Sequence, residues 1–253
     1  MEDILHARRF GGLERLYGVS GAARIRLAHV AVVGIGGVGS WAVEALARSG
    51  VGQLTLIDFD HIAESNINRQ IHALENTVGM AKVQAMQERI ALINPQCVVH
   101  GIDEFVTRDN WPTILNARVD AVIDACDQVS AKTAMAAWAM QANTLFITVG
   151  AAGGKRFAHR VDIDDLSLTT HDPLLAQLRY KLRREYQAPR DKKKMGVACV
   201  YSKESVAPPD ASCMVDGEAD GSLNCSGYGS VVSVTATFGQ CAAGWVIDKI
   251  SAL

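Results

Sequence analysis

The chain has 253 residues, a formal net charge of −2, 49% hydrophobic residues and 21% charged ones. Those proportions exclude a disordered chain and a coiled coil. The balanced charge excludes nucleic-acid binding by bulk positive charge, though not a local basic patch. Six cysteines, at positions 97, 126, 199, 213, 225 and 241, form no CxxC pair, so no zinc is expected. The N-terminal MEDILHARRF lacks a secretory apolar core, and a reduced, cytoplasmic setting is the expectation.

Residues 3–27 pattern as an amphipathic helix, with Leu5, Leu13, Leu16, Ile25 and Leu27 set among arginines. HVAVVG (29–34) is a short β-branched run ending in glycine, the signature of a buried parallel strand. A helix over 38–48 and a second strand, QLTLID (53–58), follow. The polar stretch 59–78 gathers functional side chains. Residues 81–93 predict a helix stopped by Asn94-Pro95. Residues 97–101 pattern as a strand and 108–116 as a helix. VDAVIDA (119–125) predicts a strand, 130–142 a helix and TLFITVG (144–150) another strand. This alternation predicts an α/β fold, a Rossmann-like doubly wound and mostly parallel sheet. Beyond it, FAHRVDID (157–164) alternates like a half-exposed strand, 173–187 form a basic helix, and 188–228 are loop-rich around VACVYS (197–202). Residues 231–247 are apolar enough and long enough to raise a membrane segment. Their Thr, Ser, Gln and Gly favour a buried C-terminal helix instead. With no repeat and no linker, 1–253 are expected to form one domain. Residues 1–150 would be its nucleotide-binding half and 151–253 a smaller α/β extension carrying substrate binding and dimerisation.

The loop Gly34-Ile35-Gly36-Gly37-Val38-Gly39-Ser40 follows a strand and opens a helix, with GxGxxG spacing. Glycines permit the tight turn and close approach to phosphate, and the helix N-terminus favours negative charge. Asp58 ends the second strand, where a carboxylate accepts ribose hydroxyls. That much suits NAD as well as ATP. Arg69 and Lys82 point to a triphosphate, because cations at the β- and γ-phosphates neutralise charge on a leaving pyrophosphate. In DACD, Asp124 and Asp127 flank Cys126 at the C-terminal edge of a parallel strand, where open α/β sheets bind ligands. A carboxylate there can hold Mg²⁺ against phosphate oxygens. The blander account makes Arg69 and Lys82 solvated surface and Asp127 a helix N-cap.

GIGGVGS, DFD, NxNRQ, GMAKV and DACD, spread over residues 9–150, resemble the ubiquitin-activating-enzyme superfamily, the ThiF/MoeB/HesA-like enzymes. Its members adenylate a carboxylate with ATP and release pyrophosphate. With the glycines 34, 36, 37 and 39, the nucleotide set is Asp58, Asp60, Asn66, Asn68, Arg69, Lys82, Asp124 and Asp127. The resemblance implies that Asp58 binds ribose, that Asn66, Asn68, Arg69 and Lys82 handle phosphates, and that Asp127 lies near Mg²⁺. A monovalent ion, K⁺ or Na⁺, is a further candidate. The resemblance also implies a homodimer in which an N-terminal arginine reaches the partner's ATP. That arginine aligns here with Gly12, and Arg15 is its stand-in.

RFGGLERLYG, GAAGGK (150–155), VACVYSKE (197–204), CSGYGS (225–230) and TATFG (235–239) are similar to the tRNA threonylcarbamoyladenosine dehydratase (TcdA/CsdL) family. They extend the resemblance over nearly the whole chain. The alternative is a MoeB/ThiF-like activator of the C-terminus of a ubiquitin-like sulfur carrier, a branch that usually carries two CxxC zinc pairs. The dehydratase resemblance implies adenylation of the threonyl carboxylate of threonylcarbamoyladenosine beside the anticodon. Intramolecular ring closure then releases AMP, helped by proximity. It implies tRNA as partner and an association with a cysteine desulfurase and its sulfur acceptor. Residues 179–194 (RYKLRREYQAPRDKKK) carry a net +6, leaving −8 elsewhere. They are either a local seat for tRNA phosphates, with Tyr180 and Tyr186 available for contacts, or a solvated helix and loop. Cys225 is either an acyl acceptor near substrate or a packed thiol. Cys126, between two aspartates, is disfavoured as a thiolate. His72 and His171 are substrate contacts or ordinary structural groups.

Overall fold

Strand β1 (His29–Val33) is buried along its whole length, with Val30 and Val32 on one face and Ala31 and Val33 on the other. The period of two in strand side chains sets that division. The computed structural model describes residues 2–142, 144–190, 193–210, 212 and 228–253, with side chains from residue 7 onward. Around β1 lie β2 (Gln53–Ile57), β3 (Val98–Ile102), β4 (Ala121–Asp124), β5 (Leu145–Val149), β6 (Val161–Asp165) and β7 (Ala198–Ser202). They form one seven-stranded sheet in the order β3-β2-β1-β4-β5-β7-β6. Every pairing is parallel except β6 with β7. Because β7 pairs with β5, the second half of the chain extends the sheet of the first.

Helices α2 (Gly39–Arg48), α3 (Lys82–Ile93) and α6 (Val232–Ala252) cover the face bearing Val30 and Val32. Helices α4 (Val129–Ala139) and α5 (Pro173–Glu185) cover the other, through Met135, Ala136, Leu175, Leu178 and Leu182. Each fully buried Leu or Val contributes about 1.5–3 kcal/mol of transfer free energy. The sheet is thus stabilised from both sides. In α6, Val234, Phe238, Ala242, Val246 and Ile250 recur at four-residue spacing and are buried. Gly239 brings its backbone against α2, since a Cβ there would collide with the carbonyl of Val38. The apolar C-terminal stretch is therefore a core helix. Among the described residues no helix is long and apolar enough to cross a membrane.

Three local expectations change. Helix α1 (Glu2–Leu27) is broken at Gly18, where φ is +74°, a region open to glycine. Residues 108–116 form no α-helix, only a 3₁₀ turn at Thr113–Leu115. Upstream, the N–H of Thr107 donates to Asn110 Oδ1 (2.7 Å) and the N–H of Asn110 to Thr107 Oγ1 (3.2 Å). That reciprocal pair is a capping-box arrangement that opens a helical turn, continued by the Trp111 N–H to the Thr107 carbonyl, but Pro112 has no N–H with which to extend it. Finally, β6 starts at Val161, after a short turn at Ala158–Arg160.

The chain reverses direction across the sheet between β1 and β4. The crevice at the C-terminal ends of these strands is where a sheet of this topology binds ligands.

Candidate active site

β1 runs directly into Gly34, at φ +84°, where a Cβ would stand 2.8 Å from the nitrogen of Cys126. Only glycine meets both the backbone angle and the contact. Its N–H donates to the carbonyl of Ile57 (2.8 Å), tying the loop to β2. Gly39 opens α2 against the Gly34 carbonyl, leaving no room for a side chain, whereas Gly36 faces open space. At the end of β2, Asp58 is buried and accepts from the N–H of Ile35 at Oδ2 (2.5 Å) and of Asp60 at Oδ1 (2.9 Å). Burial pushes its carboxyl above the ordinary value, and the nearby charge of Lys82 pulls the other way. Lys82, at the start of α3, is buried with Nζ 2.6 Å from Asp60 Oδ2 and 3.8 Å from Asp58 Oδ1.

Arg69 lies across the loop from these groups, its stem 3.2 Å from where a Gly37 Cβ would be. Its guanidinium donates to the carbonyl of Ser65 (2.7 Å) and to Asn68 Oδ1 (2.9 Å). Trp41 Nε1 fixes the Arg69 carbonyl at 2.9 Å. Asn66 closes its own turn by accepting from the Ala63 N–H. A cleft of about 350 Å³ joins Gly34, Gly36, Gly37, Asp58, Asp60, Asn66, Arg69, Lys82 and Asp127. Most of the predicted nucleotide set thus meets in one place. Gly39 supports the loop from behind. Asn68 is exposed and donates to the Ser230 carbonyl (3.1 Å) rather than lining the cleft.

Asp124 needs correction as a cleft ligand. It is fully buried, and Oδ2 accepts from Lys132 Nζ (3.1 Å) and Thr148 Oγ1 (2.6 Å). Lys132 is itself fully buried, and Asp124 holds its ammonium pKa above the ordinary value despite burial. The pair links β4 to α4, Thr148 adds β5, and together they support the segment that carries Asp127. Cys126 Sγ donates to Asp124 Oδ1 (3.1 Å), and burial, with that carboxylate beside it, pushes the thiol well up. Asp127 is exposed on the cleft wall. Among the described residues no group of three or more His, Cys, Asp or Glu is placed to hold a metal by itself. One cleft carboxylate is the donor set suited to Mg²⁺ carried on phosphates, an ion that keeps waters and few protein ligands.

The structure adds wall residues that sequence reasoning left unassigned. Gln70, within NxNRQ, is 5% exposed and lines the cleft, its Oε1 without a partner. Glu104, Phe105 and Val106 close the side beyond β3, and the Phe59 and Phe105 rings stand 5.0 Å apart. Thr235 enters from α6, and residues 150–153 form the wall beyond β5. Motif adjacency was the available signal: Gln70 follows Arg69, 150–153 open GAAGGK, and Thr235 opens TATFG.

Other candidates fall outside the cleft. Arg15 is exposed on α1 and does not line the cleft of its own chain. His72 is 2% exposed, both ring nitrogens lack partners, and burial lowers its pKa to about 4, aided by the charges of Lys82 and Arg89. His171 is exposed with φ +57°. Within the basic run, Arg179 is spent on the Leu166 and Thr169 carbonyls and on Thr169 Oγ1, and Arg183 on the Pro189 carbonyl. Arg184 pairs with Glu185 and sits over the Tyr180 ring at 5.4 Å, and Arg108 sits over Tyr186 at 5.9 Å. Lys193 and Lys194 are exposed. Asp191, Lys192 and Cys225 lie outside the described residues.

The chain matches the ThiF family over residues 8–253. It is 45% identical over 248 residues to the tRNA threonylcarbamoyladenosine dehydratase of Haemophilus influenzae, covering 97% of this chain and 94% of that protein. The crystal structure of the E. coli enzyme of that name, TcdA, in complex with ATP superposes with a TM-score of 0.87. It has 42% sequence identity and covers 97% of this chain and 95% of its own. The molybdopterin-synthase adenylyltransferase of Salmonella typhimurium is 37% identical over 138 residues, 54% of this chain and 55% of that protein.

Proposed function

The chain belongs to the ThiF family, and from that premise we propose that it is an enzyme that uses ATP to dehydrate N6-threonylcarbamoyladenosine in tRNA to its cyclic form. The observation behind this reading is that Asp58, Arg69, Lys82 and Asp127 share one cleft in a chain aligned with a dehydratase over 97% of its length.

In this reading Asp58 accepts the ribose hydroxyls of ATP, and the glycine loop receives the phosphates on the backbone N–H groups of Gly36 and Gly37, those of Gly34 and Ile35 being engaged by Ile57 and Asp58. A threonyl carboxylate oxygen attacks the α-phosphorus, the bond to the β-phosphate oxygen breaks, and pyrophosphate leaves. Arg69 and Lys82 neutralise the charge that develops on it. Mg²⁺ bound to the phosphates, with Asp127 in reach, would supply further neutralisation. A heteroatom of the carbamoyl group of the same modification then attacks the acyl carbon, a proton is lost, and AMP departs. The substrate loses one water, whose oxygen leaves on AMP. Both reacting groups belong to one nucleotide, so the enzyme has only to hold the activated acid and exclude water. Ring closure requires no thioester, so Cys225 has no required step.

The proposal includes a two-fold homodimer in which the partner's Arg15 completes the phosphate site. It keeps residues 1–150 as the ATP half and 151–253 as the half facing substrate and dimer. It includes a cytoplasmic location, for which the described cysteines 97, 126, 199 and 241 are suitably free thiols. Association with a cysteine desulfurase and its sulfur acceptor rests on the family resemblance alone. Pyrophosphate exchange tests the choice of carboxylate. Exchange is expected with tRNA bearing threonylcarbamoyladenosine. Exchange only with a carrier protein ending in glycine would replace the dehydratase with the sulfur-carrier activator.

A further inference from the structure

The order of strands ranks the contents of the cleft. The glycine loop follows β1, Asp58 ends β2, and Glu104, Phe105 and Val106 lie beyond β3. With phosphates at the loop and ribose at Asp58, the base points towards 104–106. The cations for pyrophosphate lie on the face covered by α2, α3 and α6. Lys82 opens α3, and the Arg69 stem and Thr235 of α6 stand 3.2 and 3.5 Å from where a Gly37 Cβ would be. An attack in line with the departing pyrophosphate therefore comes from the opposite face, which α4 and α5 cover.

The nucleotide leaves the cleft residues on that side unused. Gln128 precedes α4, Ala131 is in its first turn, Leu174 is in the first turn of α5, and the 150–153 wall closes the space beside them. Ala131 and Leu174 are 2% and 5% exposed, so each presents only a small apolar edge. Gln128 is exposed, and its carboxamide bonds to no described residue. Asp172 holds these parts together. Its Oδ1 accepts from the Leu175 N–H (3.0 Å) at the start of α5, and its Oδ2 from the Ala151 N–H (2.9 Å) in the wall. Gly150 has no room for a Cβ against that carboxylate. Gln128, Ala131, the wall and Leu174 carry no charge, in contrast to the end of the cleft that holds Asp58, Asp60, Arg69 and Lys82. An apolar patch beside one unbonded amide fits a small neutral group with a methyl and a hydroxyl. The threonyl side chain is such a group, and it is attached next to the carboxylate that attacks.

We propose that this side of the cleft is a threonyl subsite, with the methyl packed on Leu174 and Ala131 and the hydroxyl bonded to the Gln128 carboxamide, and that it makes the enzyme selective for threonine among the amino acids a carbamoyladenosine can carry. The carboxamide offers both a donor and an acceptor, so it serves the hydroxyl in either role. The subsite rests on the dehydratase reading above.

The test uses the full-length enzyme and tRNAs whose carbamoyladenosine carries threonine, serine, which lacks the methyl, or 2-aminobutyrate, which lacks the hydroxyl. All three keep the carboxylate and the carbamoyl group that react. For each, kcat/KM is read as loss of water from the nucleoside in wild type, Leu174→Ala and Gln128→Leu, together with KM for ATP and the melting temperature. Wild type should favour threonyl over seryl by about tenfold or more, the worth of a methyl in an apolar site. It should favour threonyl over 2-aminobutyryl by about tenfold, the worth of one hydrogen bond. Leu174→Ala should lose the preference over seryl and keep the one over 2-aminobutyryl. Gln128→Leu should do the reverse. KM for ATP should stay the same in both. A loss of packing alone would lower all three substrates together, without this crossing of preferences. Gln128 is exposed, so its variant places no burden on folding, and Leu174→Val serves for the other arm if the alanine variant does not fold. Equal rates with the three substrates in wild type, or variants that change all three alike, would overturn the subsite and leave the dehydratase in place. A wild type that forms no cyclic product from any of them would overturn the dehydratase, and the subsite with it.

Discussion

On the β1–β2 side of the cleft, Gly34, Asp58, Arg69 and Lys82 belong to one continuous stretch of strand, loop and helix. On the β5 side, the 150–153 wall is held by Asp172, Ser202 and Glu204, and the bond from Lys155 to the Glu204 carbonyl spans 49 positions. The first side is built from local geometry: a strand ends, a glycine turn follows, and the next strand ends in a carboxylate. The second is built from long-range contacts in which the Asp172 and Glu204 carboxylates take up backbone N–H groups of the wall segment, groups that every residue but proline possesses. Sequence spacing exposes the first and conceals the second. The Lys132–Asp124–Thr148 group joins them across β4 and β5.

That junction is where substitution should hurt most. Lys132→Met leaves Asp124 buried without its cation and should cost about 3–5 kcal/mol in denaturant unfolding. The double variant Lys132→Met with Asp124→Leu should lose less than Lys132→Met alone, because the stranded charge is gone. An additive result would mean that the pair does not couple the two sides.

Arg69→Ala tests the locally encoded side. Adenylation should fall by roughly 10²–10³-fold, as when a donor to transition-state charge is lost. The melting temperature should barely move, since the guanidinium bonds only to neighbouring residues of its own loop. Full activity in the folded variant would remove Arg69 from the phosphate site.

His72, behind this side, gives a pH signature. Its folded pKa is lowered to about 4, so the unfolded chain binds the proton first as pH falls. Stability is complete above about pH 6.5 and is lost between that pH and about 4, by about 3 kcal/mol if the full shift is realised. His72→Leu should flatten the curve in that window, as read by unfolding free energy against pH. An unchanged slope would show that His72 is not the group responsible.

The smallest effect expected is on the basic run. Neutralising Lys193 and Lys194 together with Lys192 should weaken tRNA binding and reduce its salt slope by about 0.7–0.9 for each phosphate that is no longer neutralised. ATP affinity should stay as it was. An unchanged slope would make the run a solvated surface.

The same contrast explains what was legible. β1, β2, β4 and β5 follow from short β-branched runs, and the glycine loop, Asp58, Arg69, Lys82 and Asp127 from their spacing. Asp124 was misplaced because its position at a strand end is visible in the sequence, whereas the buried Lys132 that claims its carboxylate is not marked as buried by any local pattern. The 108–116 helix is cut short because Pro112 has no N–H to carry on the turn that Thr107 and Asn110 open. The break at Gly18 is a single-residue choice of φ within otherwise helical surroundings. Gln70 and the 150–153 wall lay inside recognised motifs, but only packing shows which of their residues face the cleft.

The central claim is that the cleft activates the carboxylate of the tRNA modification itself. It is tested most directly by supplying ATP, Mg²⁺ and tRNA whose threonylcarbamoyladenosine carries heavy oxygen in its carboxylate, and analysing both products by mass spectrometry. The nucleoside should lose one water, and the label should appear in the phosphate of AMP. AMP formed without the label, or label in AMP with no loss of water from the nucleoside, would contradict adenylation followed by ring closure.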